Sequence, residues 1–250
     1  MTDGRDHYSY TVYADPAIAR AFDDRRFGGP IGAIVAGTQA RVLTNFVGRI
    51  PGRRILDVGT GTGRAALLLA RGGAQVTGVD ASEEMLGIAR QHAAEQGVSA
   101  RFLPGDAHNL DFHDRSVDVA ISLRVLMHTP NWRRCVAELC RVADQLVVVD
   151  YPSAMSFALI ESLVRRVTHA LGARTEPYRV FSHRSIVDAF TRNGFRVQSV
   201  HRQFVLPIAF HKAIGSRRFT DRVERVLERA GLRRIFGSPV TIVAERCASS

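Results

Sequence analysis

Lysine is almost missing from this chain. Of its 34 lysines and arginines only Lys212 is lysine, so arginine has replaced it throughout. Three cysteines (Cys135, Cys140 and Cys247) form no CxxC pair and leave one odd. That excludes a disulfide framework and a thiolate metal site, and fits a reduced, cytoplasmic protein without a structural metal. No apolar run approaches the roughly 18 residues of a membrane span. The opening Met-Thr-Asp-Gly-Arg-Asp-His-Tyr is polar and lacks the apolar core of a signal peptide. Internal repeats and low-complexity segments are absent as well.

The net charge of +10 raises the question of nucleic acid. The arginines are spread from Arg5 to Arg246, however, with no dense tract and no interleaved aromatics. An even arginine-for-lysine replacement reads as composition rather than as a binding adaptation. An anionic substrate or a membrane surface stays open.

Residues 54 to 63 carry the strongest signal: Arg-Ile-Leu-Asp-Val-Gly-Thr-Gly-Thr-Gly. An apolar strand runs through Asp57 into Gly59, Gly61 and Gly63. Glycine takes positive φ and has no Cβ, so a ligand can approach the backbone there. The spacing is not the G-x-G-x-x-G of a dinucleotide fold. Asp57 stands where a bound pyrophosphate would be repelled. The turn suits a cationic ligand without phosphate.

Beyond it the chain alternates. Strand-like runs are Ile55–Val58, Gln75–Val79, Ala100–Leu103, Val117–Ser122 and Gln145–Asp150. Helical patterns lie between them at Ala65–Arg71, Glu83–Gln96 and Trp132–Val142. Ser82 caps the second of these, with Glu83 and Glu84 in its first turn, and Gly97 ends it. Alternation predicts a doubly wound, mostly parallel Rossmann-like sheet with its ligand at the carboxyl ends of the strands. Those ends repeat an acidic signal. Asp80 closes the second strand, where a carboxylate suits two vicinal ribose hydroxyls. Asp106, in Pro104-Gly105-Asp106-Ala107, suits an exocyclic amine such as that of adenine. Met85 is placed to pack on a flat base. Each alone fits a cap, a turn or the core; their order along the chain points to a cationic nucleoside.

These residues resemble a class I S-adenosylmethionine-dependent methyltransferase, of the group related to ubiquinone and menaquinone biosynthesis. The resemblance rests on Leu56–Gly63, Val76–Ser82, Gly105–Ala107 and Val117–Ser122, and spans residues 53 to 150. It implies S-adenosyl-L-methionine as cofactor. Asp57 and the turn Gly59, Thr60, Gly61 and Gly63 would line its methionyl end. Asp80 and Ala81 would hold the ribose, Met85 and Ala107 would border adenine, and Asp106 would bind its amine. Leu123 and Arg124 would face the sulfonium. In one departure, Arg141-Val142-Ala143-Asp144-Gln145-Leu146 lacks the Pro-Gly-Gly turn that many relatives carry before the fifth strand.

Methyl transfer is an in-line displacement that needs positioning, and needs a base only if the acceptor must lose a proton. His128, after the fourth strand, is the candidate base; capping or packing on the next helix is its bland alternative. Tyr13, Tyr151, Tyr178 and His183 are candidates to shape the acceptor pocket. No Asn/Asp-Pro-Pro-aromatic tetrapeptide and no Pro-Cys nucleophile follow the fourth strand, which disfavours nucleic-acid base methylation. The expected acceptor is a small hydrophobic or amphiphilic molecule (a quinone, lipid or secondary metabolite) methylated on O or C. The alternatives are a non-catalytic or regulatory cofactor-binding protein and an RNA-modifying methyltransferase. Nicotinamide-dependent oxidoreduction is disfavoured by Asp57 and the glycine spacing.

One domain of seven strands is expected: a helical cap over 1–50, the cofactor core over 51–150, and a lid with the last two strands over 151–250. Val240–Glu245 should close the sheet as an antiparallel edge strand. The basic stretch from Ile208 to Ala230 is partly amphipathic, which leaves peripheral membrane contact open beside a solvated helix packed on the core. The oligomeric state is not legible.

Overall fold

The computed structural model describes Asp23, residues 26–170 and residues 178–248. Tyr13, and the residues between Leu171 and Pro177, lie outside the described residues. The chain enters through a helix, α1 (Gly29–Val47), whose Pro30 sits in the first turn where a missing N–H costs nothing. Two βα units and a third strand follow: β1 (Arg54–Val58), α2 (Arg64–Arg71), β2 (Gln75–Asp80), α3 (Glu83–Glu95) and β3 (Arg101–Pro104). Next come β4 (Val117–Ser122), α4 (Trp132–Val142) and β5 (Ala143–Tyr151). The last third holds α5 (Phe157–Ala170), α6 (His183–Arg192), β6 (Phe195–Phe204), α7 (Ile208–Ile214), α8 (Arg217–Arg229), α9 (Leu232–Phe236) and β7 (Ser238–Arg246).

All seven strands join one sheet in the order β3-β2-β1-β4-β5-β7-β6. The first five pair in parallel, and β7 runs antiparallel to both its neighbours. The order reverses at β1, between β2 and β4, so a crevice opens at the strand ends there. Each face of the sheet is buried by helices. One apolar layer, including Leu43, Leu67, Leu86 and Ile121, lies under α1, α2 and α3. The other, including Trp132, Val136, Phe181 and Phe190, lies under α4 and α6.

Local chemistry explains several boundaries. Ser82 accepts the Met85 amide at 3.2 Å and so caps α3, as Ser182 and Ser216 cap α6 and α8. The missing Pro-Gly-Gly turn has a structural counterpart: α4 runs straight into β5 without a loop. Arg246 closes that junction from β7, donating to the carbonyls of Cys140 and Ala143 at 2.6 Å each. These are carbonyls at the end of a helix, which otherwise lack partners.

The last strand needs a correction. β7 is antiparallel but is not at the edge; it lies between β5 and β6. Val240 through Ala244 are all buried, as a strand covered on both faces requires, whereas most of β6, with Arg196 and Gln198, is exposed or half-buried. The basic stretch from 208 to 230 is likewise two helices, parted where Gly215 takes φ +67°. Among the described residues no helix is long and apolar enough to cross a membrane.

Candidate active site

The glycine turn folds back over the end of β2. The amides of Gly59 and Thr60 donate to the Val79 carbonyl at 2.7 and 3.0 Å. Gly61 then donates its amide to Asp80 Oδ2 at 2.8 Å, and Ser82 donates to Oδ1 at 3.0 Å. Each oxygen of Asp80 thus accepts one backbone N–H and keeps acceptor capacity for a ligand. Gly59 must be glycine twice over: φ is +72°, and a Cβ would come within 2.2 Å of Val125 Cγ2. This close approach brings the loop after β4 against the turn after β1.

Between these loops lies a cleft of about 770 Å³, part of it open to solvent. Gly59, Gly61, Asp80, Ala81, Met85 and Ala107 line one part of it. Leu123, Arg124 and His128 line the part after β4. The remaining expected cofactor residues sit just behind the wall. Asp57 is 2% exposed and accepts the Thr60 hydroxyl at 2.7 Å, beneath the turn. Gly63 opens α2 in a left-handed conformation against Ala89 and Phe102. Asp106 is at the rim, where its Oδ1 lies 2.8 Å from His108 Nδ1 and accepts the His108 amide at 2.9 Å.

Burial dominates the electrostatics. It pushes the Asp57 carboxyl up to about 6, against the hydrogen bond from Thr60 and with help from the nearby charge of Asp80. Asp80 is raised too, again by burial, with the amides of Ser82, Gly61 and Ala81 pulling the other way. Two carboxylates close together, Asp57 buried and Asp80 half-buried, favour a cation beside them.

The side of the cleft after β4 is built on backbone strain. Arg124 has φ +66°, a left-handed conformation costly for a residue with a Cβ. Its amide donates to Asp150 Oδ1 at the end of β5, and this buried carboxylate holds the turn. Burial raises Asp150, while Arg124, Arg26 and Arg64 draw it down. His128 is half-buried on the cleft wall, its amide donating to the Val125 carbonyl at 2.8 Å, in a turn ahead of α4. It does not cap α4; Asn131 does.

Of the acceptor-side tyrosines, Tyr178 stands nearest this loop. The amide of the next residue, Arg179, donates to the Met127 carbonyl at 3.1 Å, and the Tyr178 hydroxyl donates to the Ala158 carbonyl on α5 at 3.3 Å. Tyr151 and His183 meet each other, hydroxyl to Nδ1 at 2.7 Å. Tyr151 is buried among Phe181 and Trp132. Neither they nor Tyr178 line the cleft. Burial lowers His183, as does the charge of Arg202.

Sequence reasoning missed Asp150 and Arg26. Asp150 ends its strand as Asp80 does, so the signal was present. Arg26 lies in a short helical segment ahead of α1 with nothing to mark it, yet it lines the cleft. It belongs to a cap fixed from three directions. Thr62 donates its hydroxyl to Asp23 at 3.0 Å, Arg64 stacks over Phe27 at 3.5 Å, and Lys212 donates to the Arg26 carbonyl at 3.0 Å. Val58, Val79, Gly105, Val125 and Thr129 also line the cleft without having been singled out for it.

The geometry agrees with what the chain resembles. Residues 55–145 match the family described as "Methyltransferase domain". A ubiquinone biosynthesis O-methyltransferase of Aeromonas salmonicida is 36% identical over 42% of this chain and 46% of its own. A demethylmenaquinone methyltransferase of Thermus thermophilus is 38% identical over 40% of this chain and 48% of its own. The chain thus spans about half the length of these curated relatives. Among solved structures, the magnesium protoporphyrin IX methyltransferase of Synechocystis with bound SAH has the same fold. It is 21% identical with a TM-score of 0.67, covering 96% of this chain and 98% of that one.

Proposed function

With the core of a class I S-adenosylmethionine-dependent methyltransferase at residues 55–145, we propose that this protein methylates an O or C atom of a small hydrophobic or amphiphilic molecule. The observation that carries the reading is Asp80 at the carboxyl end of β2. It is half-buried, already oriented by backbone amides, and open to the cleft. A rigid carboxylate of this kind accepts from both hydroxyls of a ribose. Met85 and Ala107 supply apolar wall for a purine, and Asp57 and Asp80 set a negative field for a sulfonium. The cofactor supplies an activated methyl group with its leaving group attached.

The protein's own residues then have two tasks. The loop from Leu123 to Thr129 must hold the acceptor in line with the methyl, and the bond from Asp150 to the Arg124 amide keeps that loop rigid. His128, on the same wall, takes a hydroxyl or enol proton as the acceptor attacks. The ubiquinone and menaquinone relatives support an aromatic or quinol acceptor; the exposed apolar side chains of α5, Phe157, Ile160 and Leu163, support an apolar one. We place the protein in the cytoplasm, consistent with its unpaired cysteines.

The test is transfer of labelled methyl from S-adenosylmethionine to a panel of quinols, catechols and lipid extracts of the native cell. A labelled small molecule is expected. Label appearing only in RNA, or in nothing although the cofactor binds, would overturn the acceptor class. His128→Gln should lower kcat about 100-fold with little change in KM, and abolish the acid limb of the pH profile; unchanged kcat would remove it as base.

A further inference from the structure

Helices α7 to α9 carry a surface that the cleft does not use. In α8 the inward side is set by Thr220 and Glu224, both buried. Arg218, Arg222, Arg225 and Arg229 recur at helical spacing and so form one stripe on the opposite side. All of them are exposed, and none forms an ion pair with a described residue. Their neighbours do pair: Arg217 reaches Asp221 at 3.8 Å, and Arg233 meets Glu228. Apolar side chains accompany the stripe. Val226 lies within it, 63% exposed; Ile214 on α7 and Ile235 on α9 are 41% and 51% exposed. The three helices pack as a unit, with Phe210 of α7 against Phe219 of α8 at 6.3 Å.

We propose that this face rests on an anionic lipid surface. Arginines without an acidic partner among the described residues attract phosphate headgroups. The branched aliphatic side chains gain by leaving water at the interfacial layer. An RNA backbone would satisfy the arginines equally but offers nothing to Val226, Ile214 and Ile235. Base stacking would call for aromatics interleaved with the arginines; within α8 there is only Phe219, which is half-buried, while the exposed Phe210 of α7 and Phe236 of α9 add to the apolar surface beside the stripe. The position is also informative. Lys212, on α7, holds the Arg26 carbonyl, and Arg26 lines the cleft. A membrane under α7 to α9 therefore lies one helix away from the cap over the cleft.

The inference stands apart from methyl transfer and is tested separately, by flotation of the full chain with vesicles. Vesicles of phosphatidylcholine with phosphatidylglycerol should bind it, and phosphatidylcholine alone should not. Binding should fall steeply in roughly 1 M salt, where screening is nearly complete. The double variant R222Q/R225Q should lose at least about tenfold in partitioning while keeping the wild-type melting temperature and cofactor affinity. V226S/I235S should weaken binding without changing its salt dependence. Equal binding to both vesicles would overturn the proposal. So would full binding by R222Q/R225Q, or preference for single-stranded RNA over anionic vesicles.

Discussion

At the scale of single residues the site depends on carboxylates held where water does not reach. Asp57 is the extreme case. Its carboxyl rises from near 4 to about 6 on folding, so the folded state holds its proton more tightly than the unfolded chain. Stability from this group is complete below the unfolded value and is lost as pH rises through the folded one. Asp57→Asn should therefore be more stable than the wild type at neutral pH, by up to about 3 kcal/mol. The advantage should shrink as pH falls toward about 4. Thermal melts across pH check this; a constant difference would mean that the Asp57 charge is not costly. The same variant should bind S-adenosylmethionine more weakly, having lost negative charge near the sulfonium. Asp150 works through the backbone. Asp150→Ala should free the strained Arg124 turn and lower kcat more than cofactor affinity; equal losses in both would deny it a role in holding the acceptor loop.

At the scale of elements, what the sequence made legible were the segments whose signal is local. β4 and α4 appear over the spans their patterns predicted, and α3 starts at its Ser82 cap. What stayed illegible needed knowledge of neighbours. β7 reads as a short apolar strand in isolation, and only β6, polar enough for an edge, pushes it inward. The break at Gly215 hid within a helical pattern because one glycine is tolerated in many helices. Inside that region a buried network pins α7 to α8. Glu224 accepts the Val205 and Leu206 amides at 2.8 and 3.0 Å, and lies 2.9 Å from His211 Nε2. His211 Nδ1 in turn lies 3.1 Å from the Thr220 hydroxyl. Removing one member leaves several buried polar groups without partners. Glu224→Ala should cost about 3 kcal/mol and lower Tm by roughly 10 °C. Hydrogen exchange should report loosening confined to residues 204–224; uniform exchange across the sheet would mean that the network does not act locally.

For the whole molecule, the reversal of strand order at β1 explains why the site is where it is. β1 and β4 are neighbours whose chains leave in opposite directions across the sheet, and the turns after them, brought together at Gly59 and Val125, make two walls of one cleft. The turns after β1 and β2 that line the cleft were readable because glycines and acids at strand ends leave a mark in sequence. The part after β4 was less so: His128 lines the cleft, but Tyr151, Tyr178 and His183 do not, and Arg26 arrived from the cap by tertiary contacts alone. The central claim is that Asp80 and the glycine turn hold a nucleoside sulfonium. Calorimetric titration of the pure protein with S-adenosylmethionine and S-adenosylhomocysteine, repeated on Asp80→Ala, tests it most directly. Saturable binding of both by the wild type is expected, with a loss of about 100-fold in the variant, the worth of two charge-assisted hydrogen bonds. No heat of binding in the wild type, or an unchanged affinity in Asp80→Ala, would contradict it.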